Sequence, residues 1–165
     1  MSIKKIRTQY KRKREGKTNY KKRLKLLQSR TTRLVIRKSN KHIIAQLTNY
    51  YPDGDKVVVG VNSKELEKIG WKHSGKNTPA AYLTGLLLGK KALAAKVKEA
   101  ILDLGLQTSI KKSKVYATLK GTSDMGLNIH MGEDIVPDQD RIEGKHIDSK
   151  TITKDFEAVK NKIMK

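Results

Sequence analysis

Apolar residues recur along this chain with two different periods, and the change of period predicts its elements. Between residues 33 and 62 three short runs, RLVIRKS, HIIAQLT and KVVVGVN, are rich in β-branched residues and read as consecutive antiparallel strands. Asn40 and Lys41 supply the first turn, and Pro52, Asp53, Gly54 and Asp55 the second. In the first strand Arg33, Val35 and Arg37 share one face, while Leu34, Ile36 and Lys38 share the other. Further along, Ala80, Leu83, Leu87, Ala94, Val97, Ile101 and Leu104 recur at steps of three and four, with a gap at Lys90. That stripe predicts a helix over 78–104, capped by Thr78, with Pro79 in its first turn and Gly105 closing it.

Weaker patterns fill in the rest. A short helix over 18–29 starts at Thr18 or Asn19 and turns Tyr20, Leu24 and Leu27 toward the domain. Asn62 and Glu65 have capping-box spacing for a helix ending at Gly70, and a loop follows from Trp71 to Asn77. SKVYATLK, 113–120, reads as a fourth strand, parallel to one of the first three because it follows a long helix. Residues 121–140 read mostly as loop with room for a short helix, and 153–164 as a terminal helix with Phe156, Val159 and Ile163 on one face. The result is an α/β fold with a mixed sheet: an antiparallel three-strand meander, a long crossover helix and a further strand. A basic N-terminal extension with a short helix covers 1–30, the core domain 31–121, and a C-terminal extension with loop and helix 122–165.

Charge changes the picture most. The chain of 165 residues has 37 Lys and Arg against 16 Asp and Glu. Residues 1–41 hold 17 of those cations and one acid, Glu15, and only Arg141 of the eight arginines lies outside them. Arginine suits forked contact with phosphate and stacking on bases, so the skew points to a polyanion, with nucleic acid the default partner. Self-repulsion should keep residues 1–17 extended or disordered until a partner binds. The stripe of Arg33 and Arg37, about 13 Å long at the rise of a strand, suits a sheet that faces nucleic acid. Gly85 and Gly89 inside the long helix each cost about 1 kcal/mol relative to alanine, so something must approach that face. Sheet backbone is the expected neighbour, ahead of nucleic-acid backbone.

Other chemistry is sparse. There is no cysteine, which excludes disulfides and thiolate metal sites and fits a reducing compartment. No run approaches the roughly 18 apolar residues of a membrane span, and the charged start has no apolar run behind it, unlike a secretory signal. An organellar transit peptide would share the basic, acid-poor start, but this stretch runs straight into the apparent fold. His42, His73, His130 and His146 show no ligand spacing for zinc. GLLLGKK at 85–91 has three residues between its glycines and no Ser or Thr after the lysine, so it is not a phosphate loop. Asp53 with Asp55, and Glu133, Asp134, Asp138 and Asp140, could in principle hold magnesium for nuclease chemistry; turn formation and a solvated surface explain them better.

The chain also resembles a known family. TNYKKRLKLL at 18–27 and RLVIRKSNKHIIAQL at 33–47 are similar to the large-subunit ribosomal proteins that bind 5S rRNA, universal large-subunit family eighteen. Gly70-Trp71, PAAYLTGLLLGKKA (79–92), LDLGL (102–106), SKVYATLKG (113–121), DMGLNI (124–129) and RIEGKHI (141–147) continue the resemblance in order, over about residues 7–150. The segment after 121 is similar to archaeal and eukaryotic members, and the modest length to the archaeal type. The resemblance implies a structural, non-catalytic protein of the cytoplasmic ribosome, without cofactor or metal. It would sit in the central protuberance, contact 5S and 23S rRNA and neighbouring ribosomal proteins, and act on no membrane or small molecule. Carried onto this chain, it places the RNA-facing positions at Arg7, Lys11, Arg12, Arg14, Tyr20 and Arg23, and at Arg33, Arg37, Lys38, Ser39, Asn40, Lys41 and His42.

The expected mechanism is release of counterions by the tail and first helix, followed by presentation of Arg33 and Arg37 to folded RNA read by shape. Tyr10, Tyr20 or Trp71 could stack on an unpaired base. The rival readings are a generic nucleic-acid-binding architectural protein, a carboxylate-dependent RNA enzyme, and a binder of acidic proteins or anionic membranes.

Overall fold

The three β-branched runs form the frame of the molecule in a computed structural model, which describes residues 8–147 and 151–165. They are β1 (Arg33–Lys38), β2 (Ile43–Asn49) and β3 (Lys56–Asn62), an antiparallel meander with Arg33 opposite Thr48 and Leu47 opposite Val59. The β2–β3 register shifts at Leu47/Thr48, so one extra residue of β3 is accommodated there. A short β4 (Ile101–Asp103) adds parallel to β1, with Arg33 opposite Ile101, and the sheet order is β3-β2-β1-β4.

Among the described residues seven α-helices accompany the sheet. α1 (Lys11–Arg14) is one turn, and α2 (Tyr20–Gln28) begins where Asn19 accepts from Lys22 N–H at 3.1 Å. α3 (Glu65–Ile69) starts with Glu65 accepting from Asn62 N–H at 3.0 Å and ends on left-handed Gly70. α4 (Thr78–Ala94) crosses from β3 toward β4, and α5 (Lys114–Asp124), α6 (Gln139–Glu143) and α7 (Ile152–Met164) follow. Leu34, Ile36, Ile43, Ala45, Leu47 and Val61 bury one face of the sheet under α4 and α5, and α7 adds Phe156, Val159 and Ile163 to the same core.

Five expectations need correction. The long helix ends at Ala94, because Lys96 turns left-handed (φ 58°) and Val97 N–H closes back on Ala92 O at 3.0 Å. Val97, Ile101 and Leu104 continue the helical spacing only by coincidence; Ile101–Asp103 is the parallel strand. Residues 113–120 are the start of α5, not a strand, and Asn77 rather than Thr78 caps α4, accepting from Ala80 N–H at 2.9 Å. Leu24 faces outward and is 61% exposed.

The fifth concerns the helical glycines, whose neighbour is a helix. A Cβ at Gly85 would lie 2.1 Å from Thr118 O, and one at Gly121 would lie 2.3 Å from Tyr82 O. α4 and α5 therefore touch backbone to backbone, neither sheet nor RNA intervening. Thr84, Thr118 and Thr122 fit this interface because each hydroxyl donates to the carbonyl four residues earlier, which satisfies it without a partner across the contact. Tyr82 adds a tie by donating to Asp124 at 2.8 Å, and burial followed by that carboxylate raises its phenol above the ordinary range.

Candidate nucleic-acid interface

Side-chain alternation sends Arg33, Val35, Arg37, Gln46 and Thr48 to the face of the sheet away from the core. This face floors a groove of about 800 Å³. α2 and the segment before it form one wall, with Arg12, Lys17, Lys22 and Arg23. The stretch from Asp103 to Gln107 forms the other, and Gln107 is held there by donating to Ile36 O at 2.7 Å.

Among the described residues seven cations line the groove, and the acids on it are Asp55 and Asp103. Both acids are occupied. Arg23 grips Asp55 with two hydrogen bonds of 2.8 Å. Arg33 donates to the same carboxylate at 2.5 Å and to Asp103 at 2.8 Å. Arg23's hydrogen bonds, then Arg33, hold the Asp55 carboxyl below its ordinary range against the opposing effect of burial. The Arg33 side chain is 3% exposed. The expected stripe of two outward arginines is therefore corrected: Arg37 is exposed, whereas Arg33 is buried and shares the Asp55 carboxylate with Arg23 of α2. Its partners lie 22 and 70 residues along the chain, which no local pattern reveals.

The remaining expected positions divide by environment. Lys11, Arg12 and Arg14 are exposed on α1, although Arg12 Nε donates to Thr18 at 2.9 Å. Tyr20 is half-buried with its ring 5.3 Å from that of Tyr10. Arg7 lies outside the described residues. At the β1–β2 turn Ser39 is used by the fold: its hydroxyl donates to His42 O and accepts His42 N–H, both at 2.9 Å. His42 Nδ1 lies 3.4 Å from Ser63 Oγ. Lys38, Asn40 and Lys41 are left exposed at the tip. Trp71 is buried and donates to Ser74 O, so it is a core residue with no face for a base.

Three cations outside the expected RNA-facing positions join this turn. The loop before α4 comes close, since a Cβ at Gly75 would sit 3.1 Å from His42 Nδ1 and 3.5 Å from Lys41 O. Lys114, half-buried at the start of α5, has its ammonium pushed below the ordinary range by burial and then by Lys76, Lys38 and Arg141. Lys38, Lys76 and Arg141 are thus all within electrostatic reach of Lys114, and through Lys38 this group of cations adjoins the groove. No ion pair to any of them occurs among the described residues. Like charges gathered without direct ion pairs favour an anionic partner.

Among the described residues no cluster of His, Cys, Asp or Glu could hold a metal ion, and no helix is long and apolar enough to cross a membrane.

The chain's similarity to known proteins matches this geometry. Residues 4–99 match the family model described as ribosomal large subunit proteins 60S L5 and 50S L18. The large ribosomal subunit protein uL18 of Korarchaeum cryptofilum is 50% identical over 143 residues, covering 87% of this chain and 73% of that one. Its counterpart in Methanothermobacter thermautotrophicus is 45% identical over 156 residues, 94% of this chain and 81% of the relative. That of Methanosphaera stadtmanae is 51% identical over 141 residues, 86% and 73% of the two chains. With a family match across more than half its length and relatives at such identity across most of it, the chain belongs to the uL18 family of large ribosomal subunit proteins.

Proposed function

We infer that the groove and the cations adjoining it bind 5S rRNA and help attach it to 23S rRNA in the central protuberance, among neighbouring ribosomal proteins. The protein is a non-enzymatic structural component of the large subunit. The observation that carries the RNA reading is that, among the described residues, Arg12, Lys22, Arg37 and Lys38 of the groove have no carboxylate ion pair, while Asp55 and Asp103 are spent on Arg23 and Arg33 and Lys17 pairs with Glu15. Arg37, Lys38, Lys41 and the exposed residues of α1 meet phosphates. Lys76, Lys114 and Arg141 extend that contact, and Arg7 belongs to the same basic segment. Arg33, Ser39 and His42 act as positioning residues, holding α2 and the hairpin turn in place. A rigid sheet edged by such cations reads the shape and backbone of a folded RNA rather than a linear sequence.

Binding to 5S rRNA, transfer RNA and duplex DNA across a salt series tests this reading. The full chain should prefer 5S rRNA. Arg37→Ala and Lys38→Ala should each flatten the log–log salt slope by roughly 0.7–0.9, the value of one phosphate contact. A chain lacking residues 1–17 should show a shallower slope still. Equal affinity for all three polyanions would leave a generic nucleic-acid binder in place of a 5S rRNA protein.

A further inference from the structure

We propose that the tip of the β2–β3 hairpin, formed by Tyr50, Tyr51 and Lys56, is a stacking platform for unpaired bases of the RNA held in the groove; this rests on the RNA-binding reading above. Most of the protein's rings are committed elsewhere. Trp71, Tyr82, Tyr116 and Phe156 are buried, Tyr20 is half-buried, and Tyr10, though 75% exposed, has its ring against that of Tyr20. Tyr50 and Tyr51 are instead 55% and 43% exposed, and Val57 beside them is 52% exposed. Such a group on an otherwise charged surface marks a contact site.

Two observations select nucleic acid as the occupant. The tip is continuous with the groove, because Asp55 and Val57 line it and the Tyr50 phenol lies within electrostatic reach of Arg23. It is also cationic, with Lys56 Nζ 4.4 Å from the centre of the Tyr51 ring. A ring with a cation on one face can take a base on the other while the ammonium meets the adjoining phosphate. A protein strand added to the β3 edge is the less favoured occupant. The register shift at Leu47/Thr48 and Lys56 at the strand's start are features that discourage edge pairing.

The test uses the full chain, transcribed 5S rRNA, and polyphosphate as a polyanion without bases. Tyr51→Trp places an indole at the tip, and the parent chain, with Trp71 buried, gives the background. The indole emission should be quenched by 5S rRNA and unaffected by polyphosphate. The double variant Tyr50→Ala/Tyr51→Ala should bind 5S rRNA about 5- to 150-fold more weakly with an unchanged salt slope, since stacking is lost and no phosphate contact is. Parent-like affinity in the double variant with unquenched indole overturns the platform while the groove reading stands. So does emission protected from iodide only in the assembled subunit, which would assign the tip to a protein neighbour. Failure of the parent chain to prefer 5S rRNA removes the platform and the RNA reading together.

Discussion

Gly85→Ala should destabilise the protein by at least about 3 kcal/mol, the upper part of the range for overpacked cores. The added methyl would lie 2.1 Å from Thr118 O, 2.9 Å from Thr118 C and 3.0 Å from Thr122 N. All three are backbone atoms of α5, so no side chain can swing aside; the two helices must separate. Separation would loosen the layer that covers Leu34, Ile36 and Leu47. Alanine's better helix propensity returns only about 1 kcal/mol. For a domain of this size the expected fall in melting temperature is roughly 6–12 °C. Gly132→Ala is the control, since nothing lies within 4 Å of a Cβ there and its backbone is not left-handed. Urea denaturation should show a lower midpoint for Gly85→Ala and little change for Gly132→Ala. A Gly85→Ala midpoint equal to the parent's would mean that α4 and α5 do not touch as described.

Asp55→Ala is the second large effect, at about 2–3 kcal/mol near neutral pH. The substitution takes a partner from the buried Arg33 guanidinium and both contacts from Arg23. Removing one member of a buried pair costs about 3–5 kcal/mol; Asp103 still holds Arg33, and the Asp55 side chain is 27% exposed, which lowers the figure. The pH dependence has a definite sign. Asp55's folded pKa lies below its ordinary value, so its stabilisation is complete above about pH 5 and is lost as pH falls through the lowered folded value. The gap between parent and Asp55→Ala in urea midpoint should therefore hold from pH 7 to pH 5 and narrow in acid below pH 4. Arg33→Met/Asp55→Ala should be less destabilised than the sum of its single changes, because it leaves no buried cation short of a partner. Additive losses, or a gap that does not change in acid, would count against the coupled cluster.

How much of this was legible in the sequence depended on whether the relevant contact was local. The meander showed because each of its first two strands buries one face and its turns carry Asn, Pro and Gly at the required places. α7 showed because Phe156, Val159 and Ile163 make a single stripe beside polar residues. α5 did not. Val115, Tyr116, Ala117, Thr118 and Leu119 are buried in succession, which erases the helical period and leaves β-branched content as a misleading guide. β4 was hidden because its three residues fall in step with the preceding helix and become a strand only by pairing with β1. In the interface, the exposed lysines and arginines were visible as charge. The internal role of Arg33 was not, since a basic residue is read as surface unless its carboxylates are known. Lys76, Lys114 and Arg141 come from three distant segments, and only the folded chain brings them beside Lys38.

The bond between Arg33 and Asp103 spans 70 residues, and a chain is made from its N-terminus. The most cationic stretch leaves the ribosome before the strand that closes the groove's floor exists. At about 5–20 residues per second, roughly 4–14 s separate the synthesis of the two partners. During that interval Arg33 can meet Asp55 but not Asp103, and the wall from Asp103 to Gln107 is missing. A newborn chain can thus attract RNA by charge before it can hold RNA in a shaped groove, so general attraction precedes selective recognition in time.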